Sequence, residues 1–331
     1  MPQGRAHRRG FGSAGGRRAG SERGRGRRGR ARGRDCRHQG RARRGLCLRC
    51  LRFLQRSRIS VLCIVWAGGC RRGGGVSGVG VARAPASESP ESATAAPALE
   101  ARGIVREYGP VTAVAGIDIS LQRGEFLTVF GPNGAGKSTL LGLLSGALRP
   151  TRGDVFVNGT RLDFGGVDWR HDVGVLSHQG FLYAQLTVEE NLRFYGRLYG
   201  LRDLDRRIPE RLADVNLGDR SNSFVGQLSH GMRQRLALAR ALLHDPDVVL
   251  LDEPYTGLDP SAAAVLRGVL TGLKDGRRTV VMVTHNLGEG IALATQLAIQ
   301  VRGHFAWKGS REDVDVADFE RLYHRVVEGR A

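Results

Sequence analysis

Gly131-Pro-Asn-Gly-Ala-Gly-Lys-Ser-Thr139 is the stretch that decides the fold. A glycine, four residues and then Gly136-Lys137-Ser138 is the spacing of a phosphate-binding (Walker A) loop. Such a loop must wrap its backbone N–H groups around a polyanion. Gly131, Gly134 and Gly136 let the chain come close and take backbone angles closed to other residues. Lys137 offers a point charge to the β- and γ-phosphates, and Ser138 a hydroxyl to Mg²⁺. The flanks agree with this reading. Phe126-Leu-Thr-Val-Phe130 is an apolar, β-branched run that predicts a buried strand. Ser138 to Ser145 has helical apolar spacing, so its first turn would aim a positive dipole end at the phosphates.

Outward from the loop, further strands are predicted at Glu100–Arg106, Ile117–Gln122, Asp154–Val157 and Val173–Ser177. Turns are expected at Gly109-Pro110, Arg123-Gly124, Arg152-Gly153 and Asn158-Gly159. Helical periodicity runs from Thr187 to about Asp219. Val248–Leu251 and Thr279–Val283 return to continuous apolar runs, as central parallel strands do. The expected architecture is an open α/β sheet with an all-helical insertion between about residues 180 and 228. Arg311–Glu328 reads as an amphipathic helix with Val316, Phe319, Tyr323 and Val326 on one face, packed on the domain.

Composition breaks sharply at about residue 98. Residues 1–98 hold 23 arginines, no lysine and four acids, which is the whole formal charge of +19; residues 99–331 hold 28 basic and 28 acidic residues. All five cysteines also lie before residue 98, so the remaining 233 residues carry no disulfide framework. That length suits one α/β domain with a sizeable core. A Ser-, Ala- and Pro-rich linker at Pro85–Pro97 leads into it. The Arg-, Gly- and Ala-rich tail has too little apolar surface to fold and is read as a disordered extension. Three origins compete for it: a nucleic-acid-binding segment, a targeting segment, or GC-rich codons upstream of the true start. Arginine, glycine and alanine without lysine favour the last, with a non-AUG start at Val76, Val79 or Val81. Cys47-Leu-Arg-Cys50 has zinc-knuckle spacing but no second pair follows, so no metal is expected there. The apolar run from Ile59 to Ala67 falls short of the ~20 residues needed to span a bilayer.

Two further constellations narrow the chemistry. Asp247-Val-Val-Leu-Leu-Asp252-Glu253-Pro254 is a strand ending in two acids. Asp252 is placed to hold Mg²⁺ through water, and Glu253 to polarise an attacking water as general base. Leu228-Ser-His-Gly-Met-Arg-Gln-Arg235 opens a helical stretch, Met232–Leu243, with a serine and a glycine at its start, which makes a second anion-binding helix end.

With these motifs in this order, residues 99–310 resemble the ATP-binding subunit of ABC transporters, a P-loop NTPase fold with a helical subdomain, followed by the C-terminal helix in 311–331. The resemblance implies that Tyr108 stacks on adenine. Gly131, Pro132, Asn133, Gly134, Ala135, Gly136, Lys137, Ser138 and Thr139 would hold the phosphates of ATP. It implies Ser138, Gln179 and Asp252 around Mg²⁺, with Gln179 also sensing the attacking water. Glu253 and His285 would serve hydrolysis beside Gln179, His285 as the residue that contacts the γ-phosphate. Ser229 and Gly231, in the signature loop Leu228–Met232, would cap the γ-phosphate held by an opposite subunit, and Gly257-Leu258-Asp259 would lie at the dimer interface. The family's usual signature is Leu-Ser-Gly-Gly-Gln; here His230 and Met232 replace two of those residues, while Ser229 and Gly231 keep the backbone role.

The resemblance further implies an ATP-dependent homodimer or heterodimer that works for separate integral membrane subunits of an exporter, at the cytoplasmic face of a bacterial cell membrane. The membrane subunit would dock beside Gln179–Leu186 and Leu186-Thr-Val-Glu-Glu-Asn-Leu192. Ser177–Gly200 and Ala239–Pro246 are similar to the ATPase of the haem exporter of cytochrome c maturation, which makes haem the expected cargo and ABC-2 type efflux of drugs or lipids the alternative. His178 is expected to be a buried packing residue, not a haem ligand. A soluble ABC-type ATPase acting on ribosomes or DNA would carry two such domains or a long coiled-coil insert, so nucleic acid is not an expected partner. A catalytically dead regulatory domain is disfavoured because Lys137, Asp252, Glu253 and His285 are all present.

Overall fold

A computed structural model of the chain describes residues 96–164 and 168–329. The readings of the tail, of Cys47 and Cys50 and of the apolar run at 59–67 lie outside the described residues. Two sheets stand where one open sheet was expected. The first is antiparallel, in the order β2 (Val111–Leu121), β1 (Leu99–Tyr108), β4 (Arg152–Val157), β5 (Thr160–Arg161). Gly109-Pro110 turns the β1–β2 hairpin and Asn158-Gly159 the β4–β5 hairpin. Arg152-Gly153, expected as a turn, instead begins β4. Gly153 has φ 83, and the β1–β4 register slips between Arg102 and Val105. The glycine marks a bulge that reseats the strand, which in sequence looks the same as a turn.

The second sheet has six strands in the order β10 (His304–Ser310), β9 (Gln296–Val301), β3 (Phe126–Phe130), β8 (Thr279–Val283), β7 (Val248–Asp252), β6 (Val173–Leu176). All neighbours are parallel except β9 and β10. β3 and β8 are buried at every position, because helices lie on both faces. Alternate side chains go to opposite cores: Val248, Leu250, Val281 and Val283 to one, and Val249, Leu251, Val280 and Met282 to the other. The sequence therefore shows unbroken apolar runs where a one-sided strand would alternate. α1 (Lys137–Leu144) packs in the first core.

Between β6 and β7 the chain builds α2 (Val188–Leu198), α3 (Leu204–Asp214) and α4 (His230–Leu242). Their apolar faces meet in a separate cluster that includes Val188, Leu192, Ile208, Leu212 and Leu236. α2 starts at a capping box in which Thr187 and Glu190 bond reciprocally. α5 (Pro260–Gly272) and α6 (Leu287–Leu293) follow β7 and β8. α7 runs over Val316–Val327, shorter than the predicted Arg311–Glu328, because Asp315 accepts from Ala317 N and Asp318 N and so fixes its start. Phe319 is fully buried, with the Phe130 and Trp307 rings 5.3 and 5.5 Å away. Tyr323 and Val326 join that cluster, but Val316, in the first turn, is 40% exposed and leaves the expected face. Among the described residues no helix is long and apolar enough to cross a membrane.

Candidate nucleotide site

β3, β8 and β7 are hydrogen-bonded neighbours, and the residues just past their carboxyl ends make the site, where open α/β sheets place ligands. β3 runs into loop 131–136, and α1 starts at Lys137. Gly136, the N-cap, has φ 100, and a Cβ there would sit 2.0 Å from the Ala113 carbonyl oxygen. Only glycine allows the loop to lie this close to β2 while presenting the first N–H groups of α1. Free N–H groups at a helix start are the arrangement that binds phosphate. Lys137 is buried, and its Nζ donates to the carbonyls of Gly131 (2.8 Å) and Pro132 (3.0 Å). Burial lowers its pKa, and the charges of Glu253 and Asp252 oppose that shift.

Ser138 Oγ donates to Asp252 Oδ1 at 3.4 Å. Burial raises the Asp252 carboxyl, while the Ser138 bond pulls it down. A hydroxyl and a carboxylate facing each other at the foot of a phosphate cradle fit Mg²⁺. That ion takes few protein oxygens and keeps the rest of its shell for phosphate and water.

Glu253 has φ 50, a left-handed conformation that costs a non-glycine residue roughly 1–3 kcal/mol and is found where structure over-determines it. Its N–H donates to the Val283 carbonyl at 2.9 Å. Three donors converge on its Oε2: His285 Nδ1 at 2.8 Å, Thr284 Oγ1 at 3.3 Å and His285 N at 3.3 Å. A carboxylate only accepts, so Nδ1 carries the imidazole hydrogen. Oε2 is thereby occupied, which leaves Oε1 as the oxygen able to take a proton.

Loop 131–136, Lys137, Ser138, Asp252, Glu253 and His285 are thus brought together. The other predicted residues stand outside this set of contacts. Tyr108 is exposed at the end of the β1–β2 hairpin, with the Arg106 guanidinium 4.7 Å from its ring centre. Gln179 is exposed in the loop after β6. His178, expected to be buried, is exposed too. Ser229 caps α4, its Oγ accepting from Met232 N at 3.2 Å. Gly231 packs against Ala262 and Leu258 at the start of α5. Sequence reasoning missed Thr284, whose hydroxyl also accepts from Asn286 N. It also missed Gln234, which donates to the Pro254 carbonyl at 3.2 Å. Thr284 had one signal, a polar residue between an apolar strand and His285; Gln234 had none.

A family model described as "ABC transporter" matches residues 114–256. The Nod factor export ATP-binding protein I of Cupriavidus pinatubonensis is 37% identical over 218 residues, covering 65% of this chain and 67% of that protein. The ABC transporter ATP-binding protein NatA of Bacillus subtilis is 35% identical over 207 residues, 62% of this chain and 84% of its own length. The spermidine/putrescine import ATP-binding protein PotA of Pseudomonas aeruginosa is 37% identical over 211 residues, 62% of this chain and 58% of its own. A dimeric ATP-binding cassette in a post-hydrolysis state, bound to ADP and Pi, superposes with a TM-score of 0.59 at 26% identity, covering 64% of this chain and 98% of that one.

Proposed function

Because this chain belongs to the ATP-binding subunits of ABC transporters, ATPases of the P-loop fold, we propose that residues 99–310 bind MgATP on loop 131–139, pair with a second copy and drive export through a separate membrane subunit. The observation that carries the site assignment is the triple bonding of Glu253 Oε2 beside the phosphate loop.

The residues divide the work by chemistry. Backbone N–H groups of 131–139 and the Lys137 ammonium neutralise and orient the phosphates. Lys137 must first leave the Gly131 and Pro132 carbonyls, which a phosphate oxygen outbids because it carries full charge. Ser138, Asp252 and Gln179 would hold Mg²⁺, which would supply charge neutralisation to the phosphates. Glu253 takes a proton from the attacking water on Oε1. His285, Thr284 and the His285 N–H hold that carboxylate in orientation, and His285 Nε2 remains for the γ-phosphate. Tyr108 offers one ring face to adenine, Arg106 covering the other. Ser229 and Gly231 serve the nucleotide of a partner copy, a reading supported by the dimeric ADP- and Pi-bound cassette. Replacing Glu253 by Gln tests the assignment. Phosphate release should fall by ~10²-fold or more while an ATP-bound dimer accumulates in size-exclusion chromatography; unchanged turnover would remove Glu253 as the base.

The surface beside α2 is the proposed dock for the membrane subunit, at the cytoplasmic face of a bacterial membrane. Phe181, Leu182 and Tyr183 are half-buried there, and Phe224 is 49% exposed. The net charge of zero over residues 99–331 gives no support for nucleic acid as a partner.

For cargo we propose haem, on the likeness of Ser177–Gly200 and Ala239–Pro246 to the haem-export ATPase. The Nod factor export relative, named for a cargo other than haem, favours a second reading, ABC-2 type efflux of drugs or lipids. Deleting the gene separates them. Loss of covalent haem staining in c-type cytochromes supports the first; intact staining with raised drug sensitivity supports the second.

A further inference from the structure

His230 stands between Ser229 and Gly231 in the first turn of α4, where the family's usual signature has glycine. Its ring Nε2 lies 3.1 Å from the Thr256 carbonyl oxygen. A carbonyl only accepts, so Nε2 carries the hydrogen. Thr256 belongs to the short loop that begins at Glu253 and ends at Asp259, the N-cap of α5. The loop is tight: Thr256 N donates to the Glu253 carbonyl at 3.2 Å, and Leu258 N to the Tyr255 carbonyl at 3.3 Å. Its far end is pinned, Asp259 Oδ1 accepting from Ala262 N at 2.8 Å. The bond from Thr256 N to the Glu253 carbonyl means that a displacement of the Thr256 carbonyl is passed on to the Glu253 backbone.

The seat of the ring is built. Gly257 has φ 71, and a Cβ there would lie 3.2 Å from His230 Nε2. One turn along α4, Gln234 donates to the Pro254 carbonyl at 3.2 Å. The start of α4 and the segment after Glu253 are thus tied twice, and the outer tie, at the edge that faces solvent, is the imidazole.

We propose that His230 is a positioning residue for hydrolysis that clamps the signature loop to the Glu253–Asp259 loop of its own chain. The proposal rests on the reading that Ser229 and Gly231 close on the nucleotide of a partner copy. Closing on the partner's ATP then pulls the Thr256 carbonyl and sets Glu253 in the chain's own site, so that one movement arms both sites.

The test compares the full chain with His230→Ala and His230→Gln, whose side-chain N–H reaches the same carbonyl. Phosphate release is titrated with ATP, binding of a fluorescent ATP analogue is measured below the dimerising concentration, and the ATP-bound dimer is followed in the Glu253→Gln background. The unaltered chain should show a Hill coefficient above 1. His230→Ala should keep its analogue affinity, lose about fivefold in kcat, the size of one neutral hydrogen bond, and drop to a Hill coefficient of about 1. His230→Gln should restore both. Wild-type kcat and Hill coefficient in His230→Ala, or a loss that Gln does not restore, overturns the clamp. If the unaltered chain already fails to bind ATP or to pair, the proposed function falls and takes this proposal with it.

Discussion

At the scale of single residues, the site depends on which oxygen of Glu253 is free. Oε2 accepts from Thr284 Oγ1, His285 N and His285 Nδ1, and Thr284 is itself almost wholly buried. Thr284→Val keeps the shape of the side chain and removes one donor to Oε2 and one acceptor for Asn286 N. With one of three bonds gone, the carboxylate gains freedom to rotate Oε1 away from the water. We expect kcat to fall about fivefold with KM for ATP unchanged, the signature of an interaction that matters after binding. Steady-state phosphate release over a range of ATP concentrations checks it; a rise in KM at constant kcat would place Thr284 in nucleotide binding instead.

At the scale of elements, Asn191 decides the shape of the surface proposed to meet the membrane subunit. It is fully buried in α2. Its side chain accepts from Tyr183 N at 2.8 Å and donates to the carbonyls of Tyr183 and Thr187, both at 3.0 Å. One amide thus ties the loop over 183–187 to the helix that follows. Asn191→Ala takes this acceptor from the Tyr183 N–H and leaves the Tyr183 and Thr187 carbonyls one bond each, from Leu186 N and Asn191 N, at a cost of about 2 kcal/mol. Urea unfolding at neutral pH measures it, and a loss below about 1 kcal/mol would mean that water replaces the amide without penalty. The start of α2 was legible, since helical periodicity sets in at Thr187. The role of Asn191 was not, because its partners are fixed by a loop that has no regular pattern. The same divide runs through the fold. β3, β7 and β8 were legible as apolar runs because burial on both faces leaves that mark. The separate antiparallel sheet was not, since which strands pair is a tertiary matter, and neither was the bulge at Gly153. Within the site, the residues fixed by spacing (Gly136, Lys137, Ser138, Asp252, Glu253) lie together at or past the ends of β3 and β7. His178 was misjudged because nothing local tells a buried histidine from an exposed one.

At the scale of the whole molecule, the end of α4 sets how stability responds to pH. His244 is buried, its ring stacks on Tyr199 at 3.9 Å, and one nitrogen meets the Val173 carbonyl at 3.2 Å. The contact joins the residue just past the C-cap of α4 to β6 and to the C-cap of α2. Burial lowers its pKa to about 4, against the opposing bond to Val173. An unfolded chain returns the imidazole to about 6.5. Between these values the unfolded chain binds a proton that the folded chain refuses, so stability is fully present above pH 6.5 and is lost as pH falls toward 4. The loss is on the order of 3 kcal/mol, at about 1.4 kcal/mol per pH unit. The next residue acts in a different window. Burial alone would raise the Asp245 carboxyl, but bonds from Arg277 and Arg278 more than reverse that and hold it at about 2. Its contribution is present above pH 3.8 and fails only as pH drops through 2. Between pH 6.5 and 4 the loss of stability therefore comes from His244 and not from Asp245. His244→Phe keeps the ring on Tyr199 and removes the titrating nitrogens. Its unfolding free energy should be lower than that of the unaltered chain at pH 7.5, through the lost bond to Val173. The gap should close, or change sign, by pH 4.5. Urea unfolding of both proteins at pH 7.5, 6.0 and 4.5 measures the difference, and a gap constant over those three points would mean that His244 takes up its proton in the folded chain as readily as in the unfolded one.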